Sequence, residues 1–348
     1  MLNNKVYSIK GCFISKAERP KNQFSPFDRN GNLYKMSLYK KKGRRAMLLK
    51  ERTESEELLV LRSLNRRMVL TEKEKFRYIN LEKGYEGELK FDLLANQLQE
   101  EKFIINDLLL EVNNSQFQID SLIITHSFIH LLDIKNFEGD YYLESDRLFS
   151  VTTNREYKNP VNQIDRSATL LRMLLQKLQQ NYLIQASVIF INPEFTLYQA
   201  PRDIPIILPT QVNRFLKDLD KTPSTLNDGH KKLAQRLISL HQTKNRYTVL
   251  PAYHYDHLEK GTYCNHCGSF QIAKKRNVFI CKKCGEQERL ELAILRSAKE
   301  YKLLFPERRL TTTGIYEWCK VDLSKKTICR ILQKHFSVFG HTSDTYYE

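Results

Sequence analysis

The chain has 348 residues, of which 41% are apolar, and its 56 Lys and Arg against 40 Asp and Glu leave a formal net charge of +16. Two or three folded units are expected at this length, with enough apolar material for real cores, and the cationic excess makes a polyanion the default partner. No apolar run approaches the ~20 residues of a membrane span, and the N-terminus lacks an apolar signal core, so neither a membrane-spanning nor a secreted class is expected.

Residues 1–46 lack periodicity and carry turn-prone pieces such as Asn30-Gly31 before the basic run Lys40 to Arg45, so they read as an extension. Lys41 to Arg45 can be encoded as a purine run just before Met47, which makes Met47 a candidate start. Abundant native peptides from residues 1–40 would reject that idea. From Met47 to about Leu81, Leu58, Leu59, Leu61, Leu64 and Met68 recur at helical spacing and predict one or two amphipathic helices covering the next unit. Gly84-Tyr85-Glu86-Gly87-Glu88 opens another helix with Leu89, Leu93, Leu94 and Leu98 on one face, its glycines allowing close approach.

The period then changes. Phe103 to Val112, Phe117 to Thr125 and Phe128 to Ile134 are apolar and β-branched, punctuated by Asn113-Asn114-Ser115 and Thr125-His126-Ser127, and predict a three-strand meander. A short strand around Tyr141 to Leu143, a helix from about Pro160 to Tyr182 and a strand from Ala186 to Ile191 follow, giving the order αβββαβ. Asp220 to Lys231 reads as a linker, and Leu233 to Leu240 as a helix.

Asp120 sits within the second strand and Asp133-Ile134-Lys135 closes the third, with Asp133 and Lys135 on one face because strand side chains repeat with a period of two. Two carboxylates from adjacent strands, with Glu88 from the packed helix, form an oxygen-rich site suited to Mg²⁺ or Mn²⁺. The Lys135 ammonium would orient an attacking water or help deprotonate it. An isolated strand-edge acid is ordinarily a solvated charge, but the neighbours Ile119, Leu122, Ile123, Leu131, Leu132 and Ile134 imply half-buried strands, where an acid needs a partner or a metal.

Asp120 followed by Asp133-x-Lys135 on such a core resembles the PD-(D/E)xK nuclease pattern. More narrowly, Gly84-Tyr85-Glu86-Gly87-Glu88, Gln118-Ile119-Asp120, Asp133-Ile134-Lys135-Asn136 with Gly139, and Asn159-Pro160-x-x-Gln163 resemble the NERD, or nuclease-related, domain of bacterial proteins. The resemblance covers roughly Met47 to Asp220. It implies an α/β, restriction-endonuclease-like core and a catalytic set of Glu88, Asp120, Asp133 and Lys135, with Gln118 and Gln163 as supporting polar groups. Glu86 competes with Glu88 for its role, and Gln163 has the alternative of stabilising the helix after Pro160. The chain departs from the family pattern in Ser121, where His is frequent, and in Asp133, where Glu is frequent.

Seven cysteines are present; Cys12, Cys319 and Cys329 lie apart. Cys264-x-x-Cys267-Gly268 and Cys281-x-x-Cys284-Gly285 have the spacing of a closed tetrahedral Zn²⁺ site, each glycine permitting the left-handed turn that points backbone N–H groups at sulfur. Cysteines used this way suit a reducing compartment, so a cytoplasmic location is expected. His266 reads as a loop residue. Lys274, Lys275, Arg276, Lys282 and Lys283 make the ribbon a candidate phosphate-binding surface, with protein binding as the alternative, while Phe270 and Phe279 read as its small core. Leu290 to Leu304 predicts an amphipathic helix. Thr311 to Lys320 and Ser324 to Phe336 read as helix, turn, helix, with Ser324 as N-cap and Lys325, Lys326 and Arg330 at the start of a helix able to enter a major groove. A plain helical hairpin is the alternative.

The expected division is an extension at 1–46, a helical cover at 47–80, the nuclease-like domain at 81–220, a helix and linker at 221–260, the zinc ribbon at 261–290 and a C-terminal helical segment at 291–348. The expected function is metal-dependent phosphodiester hydrolysis on nucleic acid, DNA in preference to RNA. A non-cleaving nucleic-acid-binding protein on the same fold and an interaction scaffold are the competitors. No Gly-rich ATPase motif is present.

Overall fold

The computed structural model describes residues 46–222 and 224–348, so apart from Ala46 the extension read at 1–46, with its basic run and Cys12, lies outside the described residues. The described residues divide into a small unit, Tyr263–Ala293, and a large one comprising 46–262 and 294–348. No described helix is long and apolar enough to cross a membrane.

In the large unit the chain runs β1 (Met47–Lys50), α1 (Glu56–Arg67), α2 (Glu72–Ala95), β2 (Phe103–Val112), β3 (Ser115–Ile124), β4 (Phe128–Lys135), β5 (Gly139–Glu144), β6 (Arg147–Ser150), β7 (Glu156–Tyr157), α3 (Pro160–Lys177), β8 (Leu183–Phe190), β9 (Phe195–Tyr198), β10 (Ile206–Ile207), α4 (Pro209–Lys221) and α5 (Asp228–Ser239). The main sheet has the order β1-β2-β3-β4-β8-β10. Its centre is the expected meander, β2 and β3 being joined through Asn113 and Asn114, whose φ of 49° and 59° suit asparagine in a tight hairpin turn. β4 and β8 are parallel, so α3 is the crossover between them, and the order α2-β2-β3-β4-α3-β8 is the αβββαβ core expected. Both faces of the sheet are covered. Ile164, Leu171, Leu174 and Leu175 of α3 with Leu233, Ala234 and Leu237 of α5 close one face, and Phe91 and Ala95 of α2 with Val212, Leu216 and Leu219 of α4 close the other.

Three local expectations are corrected. Met47–Lys50 is a strand, pairing in parallel with the start of β2; Leu48 packs on one face of the sheet and Leu49 on the other, an alternation too short to outweigh the helical pattern that follows. No helix starts at Gly84, because α2 runs unbroken through that point from a capping box made by Thr71 and Glu74. The strand expected near Tyr141 is present as β5, and it lies in a separate four-stranded sheet, β7-β6-β5-β9. Asp220 and Lys221 end α4 instead of starting a linker.

The large unit resumes within α6 (Leu290–Leu304) and continues as α7 (Thr312–Cys319) and α8 (Lys325–His335), Ser324 capping α8 by accepting the Thr327 N–H. A two-stranded hairpin ends the chain, with Val338–Phe339 paired antiparallel to Tyr346–Tyr347, and Leu310 bridges Tyr347. Trp318, fully buried, is the centre of this region, packed by Tyr255, Tyr301 and Phe305 and capped by the Arg67 guanidinium 3.9 Å above its ring.

Candidate active site and the cysteine cluster

The β3–β4 ladder is regular from Ile124 opposite Ile129 to Ser121 opposite Leu132 and then stops. One residue beyond, the Asp120 carboxylate accepts the Ile134 N–H at 2.8 Å, a side chain taking the place of a ladder carbonyl. Asp133 and Lys135 share a face as strand alternation requires, and Lys135 Nζ lies 2.8 Å from one Asp133 oxygen and donates to the other at 3.0 Å. α3 begins at Asn159, which caps it by accepting the Val161 N–H, and Pro160 fills its first turn. That start brings Gln163 over β4, where its Nε2 donates to Asp133 at 3.2 Å and its Oε1 accepts from Lys135 at 3.4 Å. The capping role belongs to Asn159, and Gln163 touches the acid and the amine.

Glu88 comes from α2. Its neighbour Gly87 lets the helix approach the end of β4, since a Cβ there would fall 2.5 Å from Asn136 Cβ. Glu88 is half-buried whereas Glu86 is exposed, which favours Glu88 for the site. Its Oε2 accepts from Arg52 Nη1 at 2.7 Å. The same guanidinium donates to both oxygens of Asp92, at 2.9 and 3.0 Å, and to the Asp120 carbonyl at 2.8 Å.

Charge is crowded here. Burial, then the Asp120 charge, pushes Glu88 up to about 8, although Arg52 opposes the shift. Burial and Asp133 push Asp120 up to about 6 against the pull of Lys135 and the Ile134 N–H. Burial alone would lower Lys135, but Asp133, Asp120 and Glu88 overcome it and raise the ammonium above its usual value. Arg52 is likewise raised: burial opposes, and Asp92, Glu88 and Asp120 prevail.

The structure thus gathers Asp120, Asp133, Lys135 and Gln163, with Glu88 close enough for its charge to act on Lys135. Gln118 stands apart, exposed and reaching Asp107 at 3.4 Å. Arg52, Asp92 and Asp107 were not singled out from the sequence. Asp92 follows Glu88 by one helical turn, a readable spacing, whereas Arg52 lies in a short loop with no pattern of its own.

An all-oxygen donor set suits a hard divalent cation. Asp133 Oδ2 is sealed from solvent without a well-formed hydrogen bond, and the two raised carboxyls mark a place short of positive charge, so the residues fit such an ion. The three acids do not close as tightly as a ready cage: among the described residues, the cysteines alone form a group of three or more ligand side chains within 4.8 Å of one another.

In the small unit, Cys264, Cys267, Cys281 and Cys284 converge at that spacing around the sheet formed by β11 (Ile272–Lys275), β12 (Val278–Cys281) and β13 (Gln287–Arg289). Gly268 and Gly285 have φ of 70° and 77°, and their N–H groups close the two turns onto Cys264 and Cys281 carbonyls. Backbone N–H groups of His266 and Cys267 point at the Cys264 sulfur, and those of Lys283 and Cys284 at the Cys281 sulfur. His266 is exposed; Phe279 is buried, and Phe270 packs edge-on against Tyr263. Lys274, Lys275, Arg276, Lys282 and Lys283 are exposed on this unit. Cys319 and Cys329 belong to α7 and α8.

Residues 83–191 match the model of the family described as NERD, the nuclease-related domain. No curated protein and no solved structure matches the chain. With the αβββαβ core, the paired strand acids and this match, residues 83–191 of the chain carry a nuclease-related (NERD) domain, accompanied by a four-cysteine cluster of the zinc-ribbon kind.

Proposed function

We propose that the domain is a divalent-metal-dependent nuclease acting on phosphodiester bonds, with DNA preferred over RNA, and that the exposed cations of the zinc ribbon and the C-terminal helices hold the nucleic acid. The observation that carries this reading is the meeting of Asp120, Asp133 and Lys135 where the β3–β4 ladder ends. Asp120, Asp133 and Glu88 would hold Mg²⁺ or Mn²⁺, and Cys264, Cys267, Cys281 and Cys284 would hold Zn²⁺. The divalent ion would polarise the scissile phosphate and acidify a bound water. Lys135, held charged by the carboxylates around it, has no lone pair to accept a proton. Its role is therefore to orient the attacking water and offset the charge that develops on the phosphate. Gln163 fixes Asp133 and Lys135 against each other, and Arg52 fixes Glu88.

Two observations favour a second reading. Glu88 is engaged by Arg52, and the acids lack a closed cage, as expected of a core that binds nucleic acid without cutting it. Cleavage of single-stranded, duplex and branched DNA and RNA, with and without Mg²⁺, separates the two. The nuclease reading expects Mg²⁺-dependent products that disappear in Asp120→Ala and Lys135→Ala. It also expects the rate to rise with pH, because Asp120 at about 6 and Glu88 at about 8 are protonated below those values and must ionise to hold a cation. Unaltered binding with no product on any substrate would establish the non-cleaving alternative.

A further inference from the structure

The C-terminal 45 or so residues contain more than two helices. Tyr347, on the last strand, is buried; its hydroxyl lies 2.9 Å from Thr312 Oγ1 at the start of α7 and donates to Cys329 Sγ of α8 at 3.5 Å. Its N–H donates to the Leu310 carbonyl, and Ser337 and Glu348 exchange two further backbone bonds at the open end of the hairpin. The hairpin, β14 (Val338–Phe339) and β15 (Tyr346–Tyr347), is thereby pinned to both helices, beside the C-terminal end of α8. Its turn depends on Gly340 at φ +73°, where a Cβ would fall 2.4 Å from the Asp344 carbonyl oxygen.

α8 buries Ile328, Ile331 and Leu332 and exposes Lys325, Lys326, Arg330, Gln333 and Lys334, a cationic strip along a helix whose sequence contains no carboxylate. Lys325 reaches back to Thr313 and lies over Tyr316, whereas Lys326 and Arg330 have no ion-pair partner among the described residues. The first turns of α1 and α2 carry Glu56, Glu57, Glu72 and Glu74, as the helix dipole favours, but the first turn of α8 carries two lysines. Acids are also missing from the first turns of α3, α4 and α7, but the lysines of α8 oppose the helix dipole and offer positive charge to a polyanion lying along the helix. The hairpin extends the strip. Val338 and Phe339 are 47% and 41% exposed, Phe339 stacks on Tyr346, and Arg309 lies over the Tyr346 ring at 4.8 Å.

We propose that α8 and this hairpin form one composite surface for duplex DNA, the helix entering the major groove with Lys326 and Arg330 on phosphates and the hairpin, with Phe339 at its edge, resting against the adjacent backbone. A duplex is favoured over a single strand because a rigid helix with a pinned flank matches a groove of fixed width, while the aromatics here are stacked on one another and leave no row of open rings for unpaired bases. The proposal rests on the part of the functional reading that gives nucleic acid to the C-terminal helices, and it does not depend on cleavage.

Binding of the full zinc-loaded chain to a labelled 25-base-pair duplex and to the same-length single strand, measured by anisotropy in Mg²⁺-free buffer over a salt series, tests it without cleavage. Lys326→Glu with Arg330→Glu should weaken duplex binding by about tenfold or more and flatten the log–log salt slope by about two. Arg214→Glu with Lys217→Glu, an equal charge change on exposed positions of α4, should leave the slope nearly unaltered. Phe339→Ala should weaken the duplex further with no change of slope. Equal effects of the two charge-reversed pairs would reduce the surface to net charge, and an equal loss for single strand and duplex would overturn the groove assignment. Full affinity in Phe339→Ala would remove the hairpin. Because Mg²⁺ is absent, each of these outcomes leaves the cleavage reading where the nuclease assay put it.

Discussion

Arg52 directs its guanidinium at two carboxylates of α2 and one carbonyl of β3, and its side chain is only 2% exposed. A buried ion pair contributes little net stability when compared with an apolar replacement, but removing one partner leaves the other charge stranded. Arg52→Ala strands Glu88 and Asp92 together, so a loss of about 3–5 kcal/mol is expected, read as a lower urea midpoint. Arg52→Lys should recover only part of it, because a point charge cannot grip both Asp92 oxygens and Glu88 at once. A midpoint unchanged in Arg52→Ala would mean that the two acids are relieved by protonation, a route open to Glu88 already at neutral pH.

At the scale of elements, α2 shows how a helix is placed by what it lacks. Gly84 and Gly87 both lie inside it, and either residue as alanine should favour the helix by about 1 kcal/mol on backbone grounds. Only Gly84 has room: nothing lies within 4 Å of its Cβ position, whereas a Cβ on Gly87 would meet Asn136 Cβ at 2.5 Å and Ile191 at 3.2 Å. Gly84→Ala should therefore stabilise the protein, and Gly87→Ala should destabilise it by about 1–3 kcal/mol and move Glu88 away from Asp120. Paired denaturation curves check the first point, and equal shifts in the two variants would show that α2 does not touch β4. The sequence spacing identified the two glycines as a close approach but placed a helix start there. The actual start, the Thr71 and Glu74 capping box, stands where Leu81 and Met68 made the chain look like separate covering helices. α4 was equally readable, with Val212, Phe215, Leu216 and Leu219 at helical spacing, but it is missing from the elements expected from the sequence. The meander and the pairing of Asp133 with Lys135 were legible because a strand's period of two leaves no choice of face. Arg52 was not, because its partners are set by the parallel docking of β1 on β2 and no local pattern encodes that pairing.

For the molecule as a whole, the two units differ in what can hold them together. The large unit has a sheet covered on both faces, with Leu108, Leu122, Ile129 and Val188 fully buried. The unit Tyr263–Ala293 has short strands and, apart from cysteines, buries only Tyr263, Phe279, Leu290 and Ala293 among its apolar side chains, too small a core to fold unaided. Metal ligation by the four cysteines would supply what is missing, since a structural zinc site binds with about 10–16 kcal/mol at neutral pH and that free energy becomes folding free energy. One zinc per chain is the expected metal content, and Cys281→Ser should abolish it. Amide protection should then vanish from β11, β12 and β13 and persist in β3, β4 and β8, as followed by hydrogen exchange. The two classes of metal should also separate, because hard oxygen donors and thiolates prefer different ions. A zinc-selective chelator should release the ribbon's ion while Mg²⁺-dependent cleavage of a short, saturating oligonucleotide continues. If protection in β3 and β4 collapsed together with the ribbon, the cysteine cluster would be holding the nuclease-like core itself, and zinc would control the site as well as its targeting.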